Sequence, residues 1–338
     1  VREARRRYSD GDAGIALAAS NRKPELAQAP GYAASAPQHQ SQQRAHHQRL
    51  QDRIRMSLSR DGADGAATAR EFGAHIHAAL TGAGLHATAA QAAAAYIIET
   101  LQRQDLSLAQ AEAQIHALLK SLIVEADKPI PLSAAIRQML RSRAQQIFGQ
   151  IAPYLAQFSD QWILDFGAGD GQVTQLIHDH VSATTVGIDV RPYAMSAVPV
   201  LQYDGMRAPF PDASMDCIVL ANVLHHDANN RRCLDEVKRV LAPEGGIVMI
   251  ETVPAGRASA VSFLNEVFYN RCLHDADIPV AGAFETLEGW PARFAAHGFE
   301  TLVTMDLGID QTLVQNRHVL YFMRRAGVSA PNPDWIAL

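Results

Sequence analysis

Cysteine is scarce in this chain. There are three in 338 residues, Cys217, Cys233 and Cys272. An odd, widely spaced set argues against a disulfide framework and fits a reducing compartment, so a cytoplasmic location is expected. Neither a C-x-x-C nor an H-E-x-x-H occurs, and no metal site is expected from spacing. Also missing is any run of about 20 apolar residues, the length a helix needs to cross a bilayer. Ala92 to Ile98 comes nearest, and Glu99 ends it. No membrane span is expected.

Basic charge is sparse beyond the first stretch. Residues 1–60 hold 11 Lys+Arg against 5 Asp+Glu, whereas the remainder holds 19 against 30, a net of −11. A region that acidic is a poor match for a polyanionic acceptor, which argues against nucleic acid as a partner. Residues 1–60 are poor in aromatics and rich in Ala, Gln, Arg and His, with a low-complexity run from Pro37 to His47. They read as a disordered basic, Gln-rich tail carrying a helix at about His46 to Ser57.

From Ala66 apolar residues recur at helical spacing. Phe72, Ile76 and Leu80 mark one helix that ends near Gly82. Tyr96, Ile97 and Leu101 mark a second, from about Ala90 to Gln104. A third starts at Ser107 as N-cap and carries Ile115, Leu118, Leu119 and Leu122. Pro129 and Pro131 then break the pattern. The division expected is a tail at 1–60, a helical region at 61–130, a main domain at 131–326 and a C-terminal tail at 327–338. A chain starting near Pro129 is expected to fold and bind its ligand alone.

The main domain opens with a helix carrying Ile136, Leu140, Ile147 and Ile151, which Pro153 should kink or end. The stretch Ile163-Leu164-Asp165-Phe166-Gly167-Ala168-Gly169-Asp170-Gly171 follows. It reads as a buried strand, a glycine turn and the start of a helix whose amides point at a ligand. A dinucleotide fingerprint is G-x-G-x-x-G. Here the glycines run G-x-G-x-G behind Asp165, and an acid there suits the cationic amino end of an amino-acid-like cofactor. Thr184 to Asp189 reads as a second strand ending in an acid able to accept ribose hydroxyls. Strands at Val200–Tyr203, Met215–Asn222 and Gly246–Thr252 alternate with helices. This implies an α/β fold with a parallel sheet and right-handed crossovers. The link from Asp189 to Tyr203, with two prolines, is expected to hold one turn or an irregular segment. A helix at Ala260–Leu273, another ending at His297, and strands at Glu300–Asp306 and His318–Met323 complete the series.

These motifs, in this order, resemble the class I S-adenosylmethionine (SAM) methyltransferases, specifically the small-molecule, methyltransferase-11-like branch. Tyr203-Asp204-Gly205, Ala208-Pro209-Phe210-Pro211-Asp212 and Ser214 through Leu224-His225-His226 are similar to a D-G-x-x-L-P-F-x-D-x-S-F-D … V-L-H-H pattern. Ala208 stands where Leu is usual, Met215 where Phe is usual, and Asn222 where some relatives carry an acid. The resemblance covers roughly Pro131 to Arg325. It implies a Rossmann-like sheet closed by an antiparallel hairpin, with SAM as cofactor. Asp165, Gly167, Gly169 and Gly171 would hold the amino-acid end, Asp189 the ribose, Asp204 with Gly205 the adenine, and Ala221 with Asn222 the methionine part.

The expected activity is methyl transfer to oxygen or nitrogen of a small-molecule acceptor. Methyl transfer from a sulfonium asks mainly for in-line placement, with an optional base. His226, after strand four, is one candidate base and His274 the other. Residues 260–290 are expected to cover the donor methyl; Phe268, Tyr269 and Trp290 either line the acceptor pocket or, the commoner fate of aromatics at helical spacing, pack in the core. Glu251 faces the acceptor or serves as a structural acid. Two alternatives stand beside this reading: a protein or nucleic-acid methyltransferase docking through its N-terminal helices, and a non-catalytic SAM-binding subunit.

Overall fold

The computed structural model describes residues 36–59, 63–124, 132–190, 196–227, 230–254, 258–273, 280–310 and 316–328. Four helices come first: α1 (Ala36–Ser57), α2 (Ala63–Gly82), α3 (Ala87–Gln102) and α4 (Leu108–Val124). The expected cap of α4 is a reciprocal one. The Gln110 amide donates to Ser107 Oγ at 3.3 Å, and the Ser107 amide donates to Gln110 Oε1 at 2.8 Å. Helix α1 starts ten residues before the expected His46, inside the stretch read as disordered. Leu50, Ile54 and Leu58 explain it. They fall four residues apart on one face and are fully buried against the neighbouring helices, and that anchor props up a run of good helix formers before it. Residues 1–35, the proline break at Pro129 and Pro131, and residues 329–338 lie outside the described residues.

Helix α5 (Leu132–Leu155) takes Pro153 into its last turn and leads to strand β1 (Trp162–Phe166). Then come α6 (Gln172–His180), β2 (Thr184–Asp189), β3 (Val200–Gln202), β4 (Met215–Ala221), α7 (Asn230–Val240) and β5 (Leu241–Thr252). The chain closes with α8 (Ala258–Val267), a π-helical turn Phe268–Leu273, α9 (Gly289–Ala296), β6 (Phe299–Ile309) and β7 (Arg317–Arg325). One seven-stranded sheet has the order β3-β2-β1-β4-β5-β7-β6. The first five strands are parallel, and β7 runs antiparallel to both β5 and β6. Strand order reverses beside β1, so the carboxyl ends of β1 and β4 flank a crevice where a ligand can enter. Between β2 and β3, residues 196–199 are irregular, as the short link requires.

The helical region shares its core with α8 and the π-turn, while the sheet keeps two apolar clusters of its own. Leu50, Phe72, Ile76, Ile97 and Ile115 share one apolar cluster with Phe263, Leu264, Val267, Phe268, Tyr269 and Cys272 of α8 and the π-turn. Polar ties cross the same seam. Arg53 lies 3.9 Å over the Phe263 ring and donates to the carbonyls of Ala281 and Gly282. The buried Arg271 guanidinium pairs with Glu112 at 2.5 Å. Contacts of the helical region with α8 and the π-turn therefore reach across the expected boundary at the prolines.

Candidate functional site

The glycine turn is built from β1 outward. The Gly167 and Ala168 amides both donate to the Ile188 carbonyl, at 2.8 and 2.9 Å. This pins the turn to the end of β2. At Gly167 φ is +86°, and a Cβ there would sit 2.5 Å from a Val223 methyl, so only glycine serves. The Gly169 amide donates to Asp189 Oδ2 at 2.8 Å, joining the turn to the acid that ends β2. Asp170 accepts from the Gln172 amide and side chain, closing the first turn of α6.

Asp165 is buried under this turn and accepts from the Thr174 hydroxyl at 2.6 Å. Burial pushes its carboxyl up to about 7. The Thr174 bond pulls against that shift, and the negative charges of Asp189 and Asp170 add to it.

A cavity of about 400 Å³ opens on the turn. Asp165, Gly167, Gly169, Asp189, Gly205, Ala221, Asn222 and His226 all line it, so most of the residues singled out in the sequence meet there. Two do not. Gly171 caps α6 with φ of +77°, and a Cβ there would meet Ser196 Oγ at 2.3 Å; close packing, not the cavity wall, demands this glycine. Asp204 is exposed, and its Oδ1 accepts from the Met206 and Arg207 amides at 2.8 and 2.9 Å. An Asx turn is its visible work, and its neighbours Tyr203 and Gly205 reach the cavity instead. His274 and Asp275 lie outside the described residues.

The far wall decides between the two fates open to the aromatics. Phe268 and Tyr269 are buried in the cluster shared with α2, and Trp290 stacks on Phe294 in the core under the sheet. None of the three lines the cavity. The π-turn contributes Asn270, while α5 contributes Leu140, Arg143, Ala144 and Ile147. No sequence motif marks these. They come from segments more than a hundred residues apart, and only the tertiary fold unites them.

Behind His226 runs a buried polar chain. Glu251, fully buried at the end of β5, accepts from the Val223 and Leu224 amides at 3.0 and 2.6 Å, and its Oε2 meets His225 Nδ1 at 2.7 Å. It is thus a structural acid and does not face the cavity. Glu266 of α8 completes the chain, with its Oε2 3.7 Å from His225 Nε2 and 3.8 Å from His226 Nε2. Asn270 and Asn316 donate to the same carboxylate, at 2.7 and 3.3 Å. Burial by itself would press the His225 imidazole down; the carboxylates of Glu251 and Glu266 outweigh it and raise the group to about 10. Burial would raise Glu266, but His225, His226 and Arg143 together hold it below the usual carboxylate range.

Among the described residues no helix is long and apolar enough to cross a membrane.

Residues 164–249 match a family described as a methyltransferase domain. The demethylmenaquinone methyltransferase of Thermus thermophilus is 28% identical over 162 residues, covering 40% of this chain and 73% of that protein. The ubiquinone/menaquinone biosynthesis C-methyltransferase UbiE of Nitrosospira multiformis is 29% identical over 102 residues, covering 26% of this chain and 42% of its own length. Among solved structures, the YcgJ protein from Bacillus subtilis is 17% identical, with 54% of this chain and 100% of that chain covered and a TM-score of 0.41. The matched segment runs from β1 to β5 and contains the glycine turn, the acid at the end of β2 and the Leu224-His225-His226 turn. Over residues 164–249 the chain is similar to the methyltransferase-domain family, which supports an enzyme that transfers methyl groups with SAM as its cofactor.

Proposed function

We propose that the acceptor is a small hydroxylated ring compound of the quinol kind, methylated on carbon or oxygen. The observation that carries this is the wall supplied by α5 and the π-turn. Leu140, Ala144 and Ile147 offer an apolar surface, and Arg143, His226 and Asn270 offer polar groups beside it. Such a wall suits a flat apolar body with one or two polar substituents. The two relatives are named for menaquinone and ubiquinone chemistry, and one is named a C-methyltransferase, which brings carbon in where the sequence suggested oxygen or nitrogen.

In this reading SAM lies along the glycine turn. Asp165 faces its ammonium, Gly167 and Gly169 admit its backbone-like end, and Asp189 accepts the ribose hydroxyls. Tyr203 and Gly205 flank the adenine, and Asp204 shapes that turn. Asn222, whose buried Nδ2 has no hydrogen-bond partner, donates to the carboxylate of the cofactor. When bound, SAM would supply an electrophilic methyl group and leave as S-adenosylhomocysteine, its sulfur keeping the electron pair of the broken bond, and His226 would take the proton that the acceptor's hydroxyl or ring carbon gives up.

Incubation with methyl-deuterated SAM and a panel of benzene and naphthalene quinols tests the reading. Mass spectrometry should show one labelled methyl, which NMR should locate on ring carbon or oxygen. His226→Ala should lower kcat about 100-fold with SAM affinity unchanged. Labelled protein or RNA with no labelled small molecule would overturn the proposal.

The buried acid adds a pH dependence. Asp165 has a folded-state value of about 7 against an ordinary 3.8, so the cofactor-free protein loses stability as pH rises between those two values. The loss is on the order of 4 kcal/mol, complete above pH 7 and absent below 3.8. A cationic amino group alongside reverses this preference. SAM binding near pH 6.5 should therefore release about three quarters of a proton, read as different calorimetric enthalpies in phosphate and imidazole buffers. Asp165→Asn should abolish the difference, and an equal difference in that variant would remove Asp165 from the cofactor site.

A further inference from the structure

We infer that His225, His226 and Glu266 form a binding site for a divalent first-row cation such as zinc, open toward the acceptor side of the cavity. This rests on the proposed acceptor reading for its role, though not for its existence. The imidazole nitrogens of His225 and His226 and a carboxylate oxygen of Glu266 lie within 4.8 Å of one another. Bonds of about 2.0–2.1 Å at tetrahedral angles would set ligand atoms about 3.3 Å apart. The observed separations of 3.7 and 3.8 Å to Glu266 Oε2 need a closure of only a few tenths of an ångström. Two imidazoles and one carboxylate suit zinc, iron, cobalt or manganese and leave positions open for another ligand.

The surroundings are those of a metal site. His225 Nδ1 is held by Glu251 Oε2 at 2.7 Å, which turns Nε2 toward Glu266 and His226. A carboxylate behind a ligating histidine fixes its tautomer and its ring orientation. His225 Nε2 is fully buried and makes no hydrogen bond; at 3.7 Å, Glu266 is too far to accept one. Glu266 is steadied in turn by Asn270 and Asn316. Two buried carboxylates bracket one imidazole, and positive charge must lie between them. His226 also borders the cavity; with its Nε2 on a cation it would no longer serve as the base, and the cation would instead draw in and acidify the oxygen of a hydroxylated acceptor as a Lewis acid. Spacing conceals this trio, because the adjacent histidines meet their third partner 40 residues downstream.

The test is a cobalt(II) titration of the chelator-stripped full chain without SAM, followed by visible absorption. One equivalent should give d–d bands between about 500 and 650 nm, and zinc should bleach them. His226→Ala should lose the bands while keeping its far-UV circular dichroism and its SAM affinity. Absence of bands in the parent chain would overturn the site and leave a proton between the carboxylates. Equal cobalt uptake by His226→Ala would also overturn it, by placing the metal elsewhere. SAM titration of the same samples is separate, so failure of the cation site and failure of the methyltransferase reading give different results.

Discussion

Deletion of residues 1–130 is expected to abolish folding of the remainder, although every methyltransferase motif lies beyond the cut. Helices α2 and α4 cover α8 and the π-turn. Phe263, Leu264, Val267, Phe268, Tyr269, Cys272 and Val280 are all buried in the cluster they share with the N-terminal helices. Burial of each large apolar side chain contributes roughly 1.5–3 kcal/mol. Exposing this set costs on the order of 10 kcal/mol, which is comparable to the whole stability of a typical domain, about 5–15 kcal/mol. The cut also removes Glu112 from Arg271 and Arg53 from the carbonyls of Ala281 and Gly282. A chain of residues 131–338 should elute as aggregate in size exclusion and show no cooperative melt. A monomeric, cooperatively melting, SAM-binding product would show instead that the shared cluster is dispensable. The same packing bears on the docking alternative: the apolar faces of α2 and α4 are committed to the core and are not offered to a partner.

What the sequence disclosed was local. A glycine that needs positive φ, a strand that ends in an acid and a Ser N-cap followed by Gln all act within a few residues, and their signals sit in consecutive letters. Gly167, Gly169 and Asp189 were legible for that reason. Gly171 was legible as a turn residue and Asp204, by resemblance, as an adenine contact, yet their letters could not say whether the turn needed them or the cavity did. Phe268, Tyr269 and Trp290 show what spacing leaves open. Aromatics at helical spacing announce a buried face, but which neighbour buries it is a tertiary matter, and here α2 and the sheet take those faces. Arg143, Glu266 and Asn270 carry no motif at all. Helix α1 was read too short because its mean composition is polar, and Leu50, Ile54 and Leu58 near its end carry the contacts. Glu251 was left open between two roles. The buried amides of Val223 and Leu224 needed an acceptor, and that need decided it.

Replacement of Asp189 by Ala should weaken SAM and S-adenosylhomocysteine alike. Two consequences follow from one deletion. The carboxylate proposed to accept both ribose hydroxyls is gone, and the Gly169 amide loses its acceptor at 2.8 Å. Charge-assisted hydrogen bonds of this kind contribute roughly 1.5–3 kcal/mol each when buried, so a loss on the order of 2–4 kcal/mol is expected. That is about a 30- to 1,000-fold rise in Kd by calorimetry. The sheet should survive, because β2 is held to β1 and β3 through backbone pairing that no side chain supplies. Asp189→Asn keeps a carbonyl oxygen for Gly169 and one hydroxyl, and should lie between the two. A 2′-deoxy analogue of S-adenosylhomocysteine separates the consequences. The parent chain should bind it more weakly than the natural nucleoside, whereas Asp189→Ala should not distinguish them, since the missing hydroxyl has already lost its partner. If Asp189→Ala still discriminates between the two nucleosides, the ribose contact belongs to another residue, and Asp189 serves only to hold the glycine turn.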